Sequence, residues 1–230
     1  RCGKPSGIYP LCAPCLRLFT HDWVPFTGGV AARCRICGKV LVSEIGVCSA
    51  CRADPILKST DGVFPLHAYS LWKKSLMFAW KMQDRRTLSP VFARLYADAL
   101  RQLESVIGAD VPLVPVPPRP GKIRARGWDQ IDEVCRLLRR RHHKRVLPLL
   151  ARTSRVQQKK LDRTHRLDGT GHAYVLRSAR QLQKVCPLPP HTVMLIDDVM
   201  TTGATIEKCA VQLKRFGVQK VYALTLFAVD

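Results

Sequence analysis

The sequence predicts an α/β fold, a parallel sheet with helices on both faces, behind a small N-terminal module of zinc-ribbon type. Three observations carry that expectation. Strand-like apolar runs alternate with helix-periodic segments from Val63 onward. Seven of the ten cysteines fall before residue 52, six of them in three C-x-x-C pairs. Near the C-terminus an apolar strand delivers two adjacent aspartates to a Thr- and Gly-containing turn that opens a helix.

At 230 residues the chain suits one well-buried domain with an appendage. The texture changes near Asp61-Gly62, which divides a cysteine-rich metal module (1–60) from an α/β domain (61–230). In the second part, residues 63–69 read as a strand and 71–82 as an amphipathic helix. Helical spacing of Val91, Leu95, Ala99 and Leu103 predicts a helix over 88–107. Residues 111–116 form a short apolar strand closed by prolines. A basic loop then leads to a helix over 128–141. Strands are expected at 146–151 and 173–176, on either side of a loop rich in Lys, Arg and Gln. The chain ends with a strand at 192–196, a loop at 197–203, a helix at 204–216 and a strand at 221–228.

Each C-x-x-C pair places two thiolates on one tight turn, the spacing by which a metal takes two ligands from one knuckle. Zinc suits Cys12/Cys15, Cys34/Cys37 and Cys48/Cys51, and Cys2-Gly3 reads as the second half of a further knuckle. Which pairs share an ion stays open, since interleaved pairing also fits the spacing. A site closed by four sulfurs implies a folding role. Cys135, Cys186 and Cys209 lie in or beside apolar segments and read as packing residues.

The chain carries 38 Lys and Arg against 17 Asp and Glu, a net +21 with pI near 10.1. Residues 119–166 hold sixteen basic against four acidic residues, a local +12. Such an excess points to polyanionic company, nucleic acid or a phosphorylated substrate. No apolar run approaches the roughly 20 residues of a membrane span, so the expectation is a soluble cytoplasmic protein.

Residues 193–205, Val-Met-Leu-Ile-Asp-Asp-Val-Met-Thr-Thr-Gly-Ala-Thr, are the most informative segment. Backbone amides at a helix N-terminus, with Thr hydroxyls beside them and a glycine allowing close approach, cradle a monoester phosphate. Asp197 and Asp198, just before the cradle, can accept from the vicinal hydroxyls of a ribose. The pattern suits a ribose 5-phosphate. It is neither a Walker loop nor a G-x-G-x-x-G dinucleotide fingerprint.

This run resembles the phosphoribosyl pyrophosphate signature of type I phosphoribosyltransferases. With the knuckles in front, Pro115-Val116-Pro117, Arg126-Gly127-Trp128-Asp129-Gln130, and Gln158 with Leu161 and Arg166, nearly the whole chain resembles the ComF/GntX (ComFC-like) branch, associated with natural competence and DNA uptake. The resemblance implies that Asp197 and Asp198 hold the ribose hydroxyls while Val199 and Thr201, Thr202, Gly203, Ala204 and Thr205 surround the 5-phosphate. Val116 and Pro117 then face pyrophosphate, and Arg126 and Gly127 belong to a mobile hood. It also implies Mg²⁺ arriving with the sugar diphosphate. Departures are Trp128 and Asp129 in place of the family's Phe and Asn, Gly169 in place of an Asn, and Thr201 where purine-salvage relatives carry an acid.

Trp128, Gln130, Gln158, Lys159 and Arg166 are candidate contacts to an acceptor or to nucleic acid. Two functions follow: a Mg²⁺-dependent phosphoribosyltransferase-like protein, or a single-stranded-DNA-binding competence protein whose sugar-phosphate pocket is regulatory or vestigial. In the second, Trp128 either stacks on an unpaired base or anchors the core, and proteins of the competence machinery are further partners.

Overall fold

The computed structural model describes residues 10–21, 33–69, 71–153 and 174–229. In chain order its elements are α1 (Ala13–His21), α2 (Ser49–Ala53), β1 (Gly62–Ala68), α3 (Leu71–Lys81), a 3-10 turn (Arg86–Leu88), α4 (Ser89–Ile107) and β2 (Leu113–Pro115). They continue with α5 (Lys122–Arg126), α6 (Gln130–Arg141), β3 (Leu150–Arg152), β4 (Tyr174–Leu176), α7 (Ala179–Val185), β5 (Thr192–Met200), α8 (Ala204–Phe216) and β6 (Lys220–Ala228). Four strands form one parallel sheet in the order β1-β6-β5-β2. The pair β3 and β4 is separate and antiparallel.

The fold follows from β5. Val193, Met194, Leu195 and Ile196 are fully buried, as a strand covered on both faces requires. Successive side chains point to opposite faces, so Met194 and Ile196 join Leu224 and Leu226 in a core with Trp80, Phe92, Tyr96 and Val134 from α3, α4 and α6. Val193 and Leu195 join Val221 and Ala223 in a second core with Ile206, Cys209 and Leu213 of α8. Cys34, Cys37, Cys48 and Leu57 belong to that second core. The cysteine module therefore covers the same sheet face as α8.

Local signals set the helix ends. Asp129 Oδ1 accepts from the amides of Ile131 (2.9 Å) and Asp132 (3.1 Å) and caps α6. Arg139, Arg140 and Arg141 close that helix where the dipole favours cations. Gly217 leaves α8 at φ 108°, a left-handed exit that glycine adopts at little cost.

Three expectations need correction, and one helix had no expectation. The strand expected at 192–196 continues to Met200, because Asp197, Val199 and Met200 pair with Thr225, Phe227 and Ala228 of β6. Asp197 and Asp198 therefore stand on the strand, and only residues 201–203 turn. In the segment expected as a strand at 146–151, Val146 makes one isolated bridge to Leu113, and the ladder begins at Leu150. The basic loop contains α5, bounded by Gly121 and Gly127 at φ 79° and 75°. Finally, α7 begins at a Ser178–Gln181 capping box that was not anticipated. Among the described residues, no helix is long and apolar enough to cross a membrane.

Candidate functional site

A cleft of about 510 Å³ opens beyond the C-terminal ends of β2 and β5, the end of a parallel sheet where α/β proteins place ligands. Asp197, Asp198 and Val199 form its floor, Val116 and Pro117 follow β2 on one side, and Thr205 enters from α8. Lys122, Arg126 and Gln130 come from α5 and α6, Lys81 from the end of α3, Arg119 from the loop after β2, and Arg152 and Tyr174 from the β3–β4 pair. Five cations thus share the cleft with Asp129, Asp197 and Asp198. An anionic ligand with hydroxyl groups matches that lining.

The acids are held differently. Lys81 Nζ stands 2.7 Å from Asp198 Oδ1. Asp197 Oδ1 accepts from the Asp198 amide (2.9 Å), and its carbonyl accepts from the Tyr96 hydroxyl (2.5 Å). Burial and the adjacent Asp198 charge push the Asp197 carboxyl up to about 8, because both disfavour its ionised form. Burial, with these same carboxylates nearby, also holds the Tyr96 phenol well above its ordinary value. Tyr96 is therefore a fixed donor that clamps the strand at Asp197.

The hood candidates are pinned in this conformation. Arg126 reaches Asp84 Oδ1 and the Lys81 carbonyl, each at 2.5 Å, while Arg86 donates to the Gly127 carbonyl at 3.3 Å. Lys122 pairs with Asp129 at 2.5 Å and also contacts Gln130 Oε1. Arg119 and Arg152 make no ion pair among the described residues, and the Arg152 guanidinium lies 5.1 Å from the Tyr174 ring centre.

The turn after β5 has two faces. The first backbone bond of α8 runs from Glu207 N–H to Gly203 O (2.9 Å), so the amides of Ala204, Thr205 and Ile206 precede the helical ladder. Thr202 Oγ1 accepts from Ala204 at 3.3 Å. Thr205 faces the cleft, but Thr201 and Thr202 line a separate hollow of about 340 Å³ shared with Cys37, Cys48, Cys51, Lys39 and Leu57. Gly203 is buried at φ 86°, and a Cβ there would stand 3.0 Å from Leu57 Cδ2. One close approach this glycine permits is that of Leu57.

Cys34, Cys37, Cys48 and Cys51 form a candidate metal centre, with their four sulfurs all within 4.8 Å of one another. A tetrahedron with Zn–S bonds of about 2.3 Å has edges of about 3.8 Å, and Cys37 Sγ to Cys48 Sγ measures 3.7 Å. The donor set fits zinc. Gly38 and Gly46 turn the two knuckles at φ 70° and 71°, and the Cys48 amide donates to Cys34 Sγ at 3.4 Å. Although burial opposes it, amides of Cys37, Cys48 and Ile36 bring the Cys34 thiol down to about 7. Burial raises its neighbours, Cys51 to about 11. So compact a sulfur cluster favours a dication over four separate thiolates.

No family model matches this chain, and no curated protein is significantly similar to it.

Most of the sequence-selected residues within the described regions converge on the cleft or the turn. Gln130 is 1% exposed, lines the cleft, and donates from Nε2 to the Lys81 carbonyl at 3.4 Å. Trp128 is the clear exception. It is 5% exposed, donates to Asp84 Oδ1 at 3.0 Å, packs 6.4 Å from Trp80 and carries the Arg86 guanidinium 4.8 Å from its ring centre. Those contacts use its faces and its N–H, so it anchors the core and does not present itself for stacking on a base. Cys12 and Cys15 bracket the start of α1 and lie outside the four-sulfur group. The interleaved pairing is thereby set aside for Cys34, Cys37, Cys48 and Cys51. Cys2, Gln158, Lys159, Arg166 and Gly169 lie outside the described residues.

Sequence reasoning missed Lys81, Arg119, Lys122, Arg152 and Tyr174 as site residues. Lys81 ends an ordinary amphipathic helix, and nothing local marks it. Arg119 and Lys122 were visible only as members of a basic stretch. Arg152 and Tyr174 are brought together by antiparallel pairing, which no motif announces.

Proposed function

We propose that the chain is a phosphoribosyl pyrophosphate-binding, phosphoribosyltransferase-like protein of the ComF type, linked to DNA uptake, with an unassigned acceptor. The observation that carries this reading is the position of Asp197 and Asp198. They lie near the carboxyl end of a central parallel strand, in the floor of a cation-lined cleft, with Thr205 and the leading amides of α8 beyond the turn. In this reading the carboxylates accept from the ribose hydroxyls and the α8 amides receive the 5-phosphate. In the same reading Arg119, Lys122 and Arg126, which line the cleft, counter the charge of a diphosphate leaving group.

Asp198 is engaged by Lys81 and Asp197 resists ionisation, so this pair is a poor resident Mg²⁺ site. Mg²⁺ fits better as a companion of the diphosphate, which is how this cation commonly enters phosphate sites. There it would supply charge neutralisation as pyrophosphate departs from the anomeric carbon. The chain's own contribution is to orient the sugar and exclude water. Thr201, in place of an acid, argues against ordinary purine salvage.

Calorimetric titration with Mg²⁺ and phosphoribosyl pyrophosphate tests the reading. Asp197→Ala with Asp198→Ala is expected to weaken binding by about 100-fold or more, since the acceptors for two ribose hydroxyls are lost, while the circular dichroism stays native. Unchanged affinity in that variant refutes the assignment. Pyrophosphate release across a panel of candidate bases then separates transfer from binding alone.

A second reading, contact with single-stranded DNA, is favoured by the exposed cations Arg139, Arg140, Arg141 and Arg145 at the end of α6 and just beyond it. It predicts oligonucleotide affinity that falls steeply with salt. Weak binding that is flat with ionic strength removes it.

A further inference from the structure

The cysteine module and the turn after β5 are joined by a short bridge. Three donors of the connecting segment converge on one carboxylate in the first turn of α8. Lys58 N and Ser59 N each stand 2.9 Å from Glu207 Oε2, and Ser59 Oγ stands 2.7 Å from Oε1. One residue earlier, Leu57 is 7% exposed and lies against Gly203. At the far end of the segment, Asp61 pairs with Lys214 of α8 and accepts from the Val221 amide, each at 2.8 Å. Five residues separate Cys51 from Leu57. The position of Cys51 in the sulfur cluster therefore restricts where Leu57 and Ser59 lie, and they in turn restrict Gly203 and the start of α8.

We propose that Leu57, Ser59 and Glu207 are positioning residues through which the metal held by Cys34, Cys37, Cys48 and Cys51 sets the shape of the turn at 201–203, and thereby its grip on a sugar phosphate. The affinity part rests on the sugar-phosphate reading given above; the mechanical part does not. The turn has few restraints of its own. Thr201 and Thr202 are exposed, Thr202 Oγ1 to Ala204 is a long contact, and Gly203 has wide backbone freedom. Removing the packing of Leu57 and the fixed carboxylate of Glu207 leaves the α8 amides without a set direction, and oriented amides are what bind a phosphate. In this view the metal module acts as the back wall of the phosphate turn.

The test uses the full chain, zinc-loaded and after stripping by a chelator, with hydrogen exchange read on peptides covering 201–206. Stripping is expected to speed exchange there by about ten-fold, a coupling of ordinary size, while β6 keeps its protection. No change at 201–206, or an equal rise in β6, overturns the coupling. Glu207→Ala with unchanged zinc content should reproduce the local effect, and Glu207→Gln, which retains one carbonyl acceptor, should largely restore protection. If Glu207→Ala fails to fold, Leu57→Ala takes its place. Either variant, folded and zinc-loaded, overturns the proposal by showing wild-type exchange at 201–206. Ribose 5-phosphate titration reads the consequence, with affinity about ten-fold lower in the stripped chain. A wild-type chain that ignores ribose 5-phosphate and phosphoribosyl pyrophosphate overturns the sugar-phosphate reading, and the exchange result still decides the mechanical coupling.

Discussion

The cysteine module and the carboxyl end of the sheet lie against each other, yet they are held by different forces. In the module, four sulfurs occupy the centre while Val42 and Ile45 stand 97% and 92% exposed, so its apolar residues are only partly used for burial. At the sheet, residues 193–196 are fully buried and β5 pairs along most of its length with β6. A knuckle's geometry comes from a few adjacent residues and a cation. The sheet edge comes from residues far apart in sequence and depends on no ligand. A chelator and a denaturant should therefore dismantle the molecule in different orders.

The sharpest way to break this contrast is Cys37→Ser. Three sulfurs and a hydroxyl make a poor zinc site, and the expected result is loss of most of the about 10–16 kcal/mol that a structural zinc supplies to a small module. Zinc content should fall below one equivalent and limited proteolysis should cut within 33–60, while far-UV circular dichroism keeps its α/β character. Stoichiometric zinc with wild-type protease resistance would show that apolar packing, not sulfur, shapes the module.

The same contrast explains what the sequence made visible. Cys34, Cys37, Cys48 and Cys51 announce themselves because a C-x-x-C knuckle is a local object, and their common site needed only one confirming distance set. The segment from Val193 to Thr205 was legible for a similar reason, since strand, acids, turn and helix follow one another directly. Its one misreading, a strand ended four residues early, arose because Asp197 and Asp198 look like loop residues in isolation. Only the partner strand shows that β6 extends the ladder past them. The rest of the cleft was hidden. Lys81, Arg152 and Tyr174 arrive from three elements by tertiary packing, and no local spacing encodes that meeting. Trp128 was open between a base-stacking role and a core anchor, and only its burial decides for the core.

Asp129→Ala gives a smaller effect and sharpens the comparison from the cleft side. Asp129 caps α6 through two amides and also holds Lys122 at 2.5 Å. Losing an N-cap of this type costs about 1–2 kcal/mol, equivalent to roughly 2–8 °C in melting temperature for a chain of this size. Zinc content should not change, because among the described residues Asp129 is held by Lys122, Ile131 and Asp132, none of them in the module. A drop in zinc occupancy would mean that the two regions are coupled through more than the Leu57–Glu207 bridge.

Asp197→Asn has almost no effect near pH 4, and the sign of its pH dependence is the informative part. In the folded chain the Asp197 carboxyl titrates at about 8 because of burial and the Asp198 charge, against about 3.9 in an unfolded chain. Between those values the unfolded chain has released a proton that the folded chain keeps, so this group makes stability fall as pH rises from about 4 toward 8. The amide removes the titration while keeping the side chain's shape. Asp197→Asn should therefore melt close to wild type near pH 4 and progressively higher as pH rises. By pH 8 the gain should reach several kcal/mol, since each unit between the folded and unfolded values is worth about 1.4 kcal/mol. Under the sugar-phosphate reading the same variant also binds phosphoribosyl pyrophosphate more weakly above pH 8, where the wild-type carboxylate is ionised and offers a ribose hydroxyl a charged acceptor. A residue that lowers stability in its ionised form and strengthens ligand binding has been placed for the ligand. If the melting difference stays flat from pH 5 to 8, Asp197 is an ordinary solvated acid, and the carboxyl end of the sheet is built for stability alone.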